Sequence, residues 1–197
     1  MYVLGWSFPT KEVEMAKRLT QVAAPQLPEY SFAGSFRQRM VVSTGEGTFD
    51  GAKFINVRTG TRVLSGKWQL VLLAGFITDF ASKTEERVGD TTLQGFQIIP
   101  AFTAEQIQTG LAELGPSSEM RLCCLEAILF PRRYQMFSAR MMLQTSGNLN
   151  LFLIRDRLAR LRAVTMRFGG GFCSIESSDP GELLPTDTRV FRRYRPG

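Results

Sequence analysis

The chain has 197 residues, a length suited to one domain, and at 44% hydrophobic and 21% charged it can bury a core and is no disordered tail. It contains no histidine, which excludes His-based triads, Cys–His dyads, His-ligated metals and imidazole proton relays. The formal charge of +6 is unevenly placed: Pro131–Gly197 carries twelve arginines, no lysine and five acids, whereas Met1–Phe130 holds twelve basic residues against thirteen acids. A local positive field of this kind recruits anions such as phosphate backbones, acidic headgroups or an acidic partner.

In chain order, Thr10 is a suitable N-cap with Glu12 and Glu14 in the first turn, and Met15, Leu19 and Val22 share a face up to Pro25. Pro25–Pro28 reads as a linker. Overlapping its end, Leu27, Pro28 and Tyr30 form a short Pro-then-Tyr element of the kind that docks in a WW-type aromatic groove. Residues 31–43 alternate, with Phe32, Phe36, Met40 and Val42 on one side and Arg37 and Arg39 on the other, predicting a half-buried strand with a basic outer face. Residues 54–64 suggest two short strands around Thr59-Gly60, and Trp68–Phe80, apolar nearly all round, suggests a buried helix. Residues 82–90 read as a charged loop, and Phe96–Ile99 as a strand ended by Pro100.

Thr103-Ala-Glu-Gln106 fits a capping box, followed by Ile107, Leu111 and Leu114 on one face and a Gly115-Pro116 stop. Residues 120–130 and 133–145 read as two strands bent apart at Pro131, with Met136, Phe137, Met141 and Met142 expected in the core. Leu151, Ile154, Leu158 and Leu161 recur at helical steps, so 151–167 is expected to form an amphipathic helix stopped by Gly169–Gly171. Residues 172–176 are a short strand, and 177–197 a turn and a basic tail.

The sum is an α+β single domain: an antiparallel β-rich core over 31–176 with three or four helices packed on it, preceded by a helix and linker over 1–30 and followed by the tail at 177–197. Cys123, Cys124 and Cys173, an odd set without CxxC, argue against a disulfide framework or zinc knuckle and suit free, mostly buried thiols in a reducing compartment. The start lacks the basic region and apolar length of a signal peptide, and the longest apolar run, Leu70–Ile77, is far below the ~20 residues of a spanning helix. These features suggest an intracellular protein that is not secreted, with any membrane contact peripheral.

No catalytic or metal constellation stands out, and Gly45–Lys53 lacks the Gly-Lys-Ser/Thr of a phosphate loop, so neither an enzyme nor a cofactor is expected. The candidate anion-binding residues are Arg155, Arg157, Arg160, Arg162 and Arg167 on the expected helix, Arg132 and Arg133 beside Tyr134, and Arg192, Arg193 and Arg195 beside Tyr194. Arginine without lysine suits bidentate phosphate or carboxylate contact, and interleaved tyrosines suit base stacking. The simpler alternative is a solvated face whose arginines pair with acids from elsewhere in the chain.

The layout resembles the matrix proteins of rhabdoviruses. Leu27-Pro28-Glu29-Tyr30 is followed by the expected basic-faced strand Phe36–Met40, the expected apolar helix Trp68–Phe80, the expected strand beginning Arg132-Arg133-Tyr134, and an expected helix running into Met166-Arg-Phe-Gly169 before a final strand. The resemblance implies a non-enzymatic, self-associating protein that bridges nucleocapsid and inner membrane, in the cytoplasm or a virion. The chain departs from that family's Lys-rich flexible arm and its Pro-Pro-x-Tyr, here with Leu27 in place of the first Pro. A second resemblance, on Gly66-Lys-Trp68 and a late Arg-Leu-Arg, is to lipocalin-like lipid or chromophore carriers of the bilin-lyase kind, and implies that Arg160 and Arg162 bind ligand carboxylates inside a β-barrel.

Overall fold

A computed structural model describes residues 38–64, 66–98, 103–113 and 119–194. The expected helix at 10–24, the Leu27–Tyr30 element, the Gly115-Pro116 stop and Arg195 lie outside the described residues. The strands are β1 (Gln38–Ser43), β2 (Thr48–Asp50), β3 (Arg62–Val63), β4 (Trp68–Leu72), β5 (Thr84–Glu86), β6 (Asp90–Gln97), β7 (Asn150–Arg155), β8 (Leu161–Gly169), β9 (Phe172–Ser178) and β10 (Arg189–Tyr194). The helices are α1 (Gly51–Arg58), α2 (Ala74–Phe80), α3 (Ala104–Glu113), α4 (Leu122–Leu129) and α5 (Met136–Met142), with a 3-10 turn at Arg133–Gln135. The fold is a β-rich core with helices, five of them among the described residues.

Eight strands form one sheet in the order β1-β6-β10-β7-β8-β9-β4-β3, and β2 pairs with β5 in a separate ribbon. Most pairings are antiparallel, as the alternating segments suggested, but β10 runs parallel to β7 and β4 parallel to β9. Both faces of the central strands are buried. Phe152 and Ile154 of β7, Val164, Met166 and Phe168 of β8 and Phe191 of β10 join the large core with α4 and α5. Leu151, Leu153, Ala163 and Val190 join a smaller core on the opposite face with Ala104 and Ile107 of α3.

That two-sided burial explains the largest misreading. The segment 151–167 is not a helix but a hairpin, with Arg155 opposite Leu161 and Asn150 opposite Met166. A strand apolar on both faces reads as a continuous hydrophobic run in which helical steps occur by coincidence. What decides the turn is Asp156: its Oδ1 accepts the backbone N–H of Leu158 at 2.7 Å and of Arg160 at 3.0 Å, and Ala159 takes a positive φ of 61°. Gly169–Gly171 accordingly form a hairpin bend between β8 and β9, not a helix stop.

The converse error occurs at 120–145, where helices replace the expected strands. The α4 residues Leu122–Leu125 and Ala127–Leu129 are all buried, leaving no polar face to reveal the helical period. The expected helix at Trp68–Phe80 divides at Leu73 into β4 and α2. The expected hairpin at 54–64 is α1 followed by the short β3. Asp50 caps α1, accepting the Lys53 N–H at 3.1 Å. The residues read as a basic tail form β10 between β6 and β7, well inside the sheet.

The capping box on α3 forms as expected: Thr103 Oγ1 accepts the Gln106 N–H at 3.2 Å and Gln106 Oε1 accepts the Thr103 N–H at 2.9 Å. The alternation of β1 also holds over its described length, with Met40 and Val42 buried and Arg39 and Val41 exposed. All three cysteines are free and buried. No helix among the described residues is long and apolar enough to cross a membrane.

Candidate functional site

The fold divides the candidate arginines into groups with different fates. Arg162 of β8 lies against α2: its Nε donates to Asp79 Oδ2 at 2.7 Å and its Nη1 to Asp179. Arg160 donates from Nε to Asp156 Oδ2 at 2.8 Å and its Nη2 lies 3.9 Å from Asp79 Oδ1. The two arginines that the carrier reading turns toward a ligand are thus held by carboxylates of the chain. The sheet itself is open among the described residues, since its end strands β1 and β3 do not pair with each other. Arg192 is buried, with Nη2 donating to Gln94 Oε1 at 3.1 Å and its guanidinium 5.2 Å from the Phe96 ring centre. Arg167 is exposed on β8 opposite Ser174.

Arg155, Arg157 and Arg193 are brought together. The parallel pairing of β10 with β7 carries Arg193 to the same end of the sheet as the Asp156 turn, where a cleft of about 460 Å³ opens. Lys83 and Arg121 line it as well, together with Glu85, Glu119 and Asp156. These two cations were not among the sequence candidates, because they lie outside the basic third and only the tertiary fold brings them in.

The cleft walls are fixed by polar contacts. Glu119 grips Arg155 by both oxygens, accepting from Nε at 2.8 Å and Nη2 at 2.6 Å, while Arg155 Nη1 donates to the Ala159 carbonyl at 2.9 Å. Lys83 Nζ lies 3.0 Å from Glu85 Oε2 and donates to the Arg155 carbonyl. Glu85 Oε1 accepts the Cys123 N–H at 2.8 Å and so caps α4 from a distant strand, in place of any side-chain cap from Arg121.

A second surface lies on the far side of Pro131. Arg132 and Arg133 open the 3-10 turn that leads into α5. Gln135 anchors this turn by donating from Nε2 to the Val41 carbonyl of edge strand β1 at 3.0 Å. Ala139 and Met142 face the core, whereas Tyr134, Phe137 and Met141 stand 73%, 75% and 51% exposed at i, i+3 and i+7. Phe137 and Met141 therefore do not belong to the core, contrary to the expectation from composition; Met142 does. Arg132, Arg133 and Arg140 flank this ridge and are all exposed. Arg132 and Arg133 have no polar side-chain partner among the described residues, and Arg140 reaches only the Leu64 carbonyl, at 3.4 Å.

Two features of the sequence could have shown the ridge. Tyr134, Phe137 and Met141 form one helical stripe and Ala139 and Met142 lie on another, so the segment carries apolar residues on two faces where a small surface helix needs only one. No model of a protein family matches this chain, and neither does any curated protein or solved structure.

Proposed function

We propose that this chain is a non-enzymatic interaction protein that docks peripherally on an anionic membrane surface, as the resemblance to viral matrix proteins implies. The observation that carries the reading is the ridge of Tyr134, Phe137 and Met141 beside exposed arginines that have no carboxylate partner among the described residues. A monomeric surface has no solvent-side reason to expose two aromatic rings and a methionine on one short helical stripe. Rings and a thioether enter the headgroup–acyl boundary, while Arg132, Arg133 and Arg140 remain at headgroup level and meet anionic lipids.

The nucleic-acid reading takes second place. Arg155, Arg157 and Arg193 supply a focus of charge at the cleft, but Arg167 and the Arg132–Arg133 pair lie elsewhere, so the described arginines make no continuous track for a phosphate backbone.

The test is co-sedimentation with vesicles containing phosphatidylserine, comparing the native chain with a Tyr134→Ala, Phe137→Ala, Met141→Ser variant and with an Arg132→Gln, Arg133→Gln variant. The apolar variant should bind at least about tenfold more weakly at every salt concentration, given roughly 1.5–3 kcal/mol for burying a large apolar side chain. The charge variant should lose the salt-sensitive part of binding. Vesicle binding equal to native in the apolar variant would refute the reading.

A further inference from the structure

We infer that the segment Met15–Val22 of this chain covers the ridge of Tyr134, Phe137 and Met141 when no membrane is present, and that docking requires its release. This rests on the membrane reading of the ridge and names how that site is regulated. The described chain begins at Gln38, the first residue of β1, and residues 1–37 precede it. Two contacts fix how α5 lies along β1. Gln135, just before α5, donates to the Val41 carbonyl at 3.0 Å. At the other end of the helix, a Cβ on Gly95 would stand 3.5 Å from Met142 Cε, and Gly95 is the partner of Gln38 in the pairing of β6 with β1. α5 therefore runs from Val41 toward Gln38, and the chain that precedes β1 joins it beside the Met141–Met142 end of the ridge.

The sequence before Gln38 supplies a stripe that matches the ridge. Met15, Leu19 and Val22 recur at i, i+4 and i+7, and the ridge residues at i, i+3 and i+7, so two helical stripes of this spacing have the same length, roughly 10 Å. Lys11, Lys17 and Arg18 offset Glu12 and Glu14 in this stretch, so the contact is carried by apolar side chains and not by charge. Residues 23–37 connect Val22 to Gln38 and span up to about 50 Å when extended, so reach sets no limit. A tether of this length gives an effective concentration on the order of 1 mM. A contact with a Kd of about 0.1 mM between separate pieces would then keep the ridge covered about nine-tenths of the time. A second copy of the chain at micromolar concentration meets the ridge about a thousandfold less often than the tethered segment does, which favours the segment as occupant.

Two measurements on the full chain test this. A Met15→Ser, Leu19→Ser, Val22→Ser variant should bind phosphatidylserine vesicles about tenfold more tightly than the native chain, because apparent affinity scales with the uncovered fraction. Without vesicles, a Leu19→Cys, Phe137→Cys variant should form a disulfide at monomer mass under mild oxidation with copper phenanthroline. A Leu19→Cys, Leu158→Cys variant should not, although Leu158, on the turn between β7 and β8, is 61% exposed. The inference is overturned if the native chain binds vesicles and the serine variant binds them no more tightly. It is also overturned if the Phe137→Cys pair traps no more readily than the Leu158→Cys pair. A Phe137→Cys disulfide found only at dimer mass overturns it too, since a second copy would then be the cover. If neither the native chain nor the serine variant binds vesicles while the monomer-mass disulfide forms, the membrane reading fails and the cover stands, so the two are read separately.

Discussion

Arg162 Nε donates to Asp79 Oδ2 at 2.7 Å, tying β8 to the last turn of α2 between residues 83 positions apart. The same carboxylate oxygen accepts the Ser177 hydroxyl at 2.6 Å, and Asp79 is almost wholly buried. Breaking one side of such a pair leaves a buried charge with too few partners, a larger penalty than the pair's own net worth. Arg162→Met should therefore lower the unfolding free energy by about 3 kcal/mol, and Asp79→Leu combined with Arg162→Met should recover most of it. Urea titrations of the three proteins check this. A single Arg162→Met variant within about 0.5 kcal/mol of native would mean that the pair does not hold the two elements together.

The sequence was most legible where local chemistry decides structure. Thr103 and Gln106 specify a helix start by themselves, and the alternation at Met40 and Val42 needs only one buried face. It was least legible where burial is two-sided. Leu151–Ile154 and Leu122–Leu125 are both short, fully apolar runs, one a strand and the other a helix, and nothing within either run separates them. Asp156 could have separated them for the first run, since an Asp followed by a small left-handed residue is a turn signal between two strands. The site was legible only in part: the basic third was visible as composition. Its division into arginines held by Asp79 and Asp156 and arginines left facing the cleft depends on long-range pairing, which composition does not contain.

Asp156 governs the turn that presents Arg157, and its titration is a handle on that turn. Burial pushes its carboxyl up, but the Arg160 N–H, the Arg160 guanidinium and the Leu158 N–H together outweigh burial and hold it below the ordinary carboxylate value. A carboxyl whose folded pKa is depressed contributes stability that is fully present above its unfolded value, near 4, and lost as pH falls through the lower folded value. Asp156→Asn should thus cost about 1–2 kcal/mol at pH 7, and the gap from the native chain should close as pH drops below about 4. Denaturant unfolding at a series of pH values reads it directly. A gap that stays constant down to pH 2 would place its cause in packing and not in charge.

Gly51 couples α1 to the wall of the cleft. Its N–H donates to the Lys83 carbonyl at 2.8 Å, and a Cβ at this position would stand 2.2 Å from the Phe80 carbonyl oxygen and 2.9 Å from that of Lys83. Both neighbours are backbone atoms, one at the end of α2 and one in the turn that follows it, so a methyl group there can be accommodated only by moving that backbone. Lys83 follows in that turn, and through Glu85 it reaches the Cys123 N–H at the start of α4. Gly51→Ala should cost about 1–3 kcal/mol, the usual range for overpacking, and should also weaken protection of the Cys123 amide against hydrogen exchange. Gly181→Ala is the matched control, because a Cβ there meets nothing within 4 Å. That substitution should be neutral or slightly stabilising through the unfolded chain. Equal stability of the two variants would show that the approach of Gly51 to the Phe80–Lys83 turn is not a constraint on the fold.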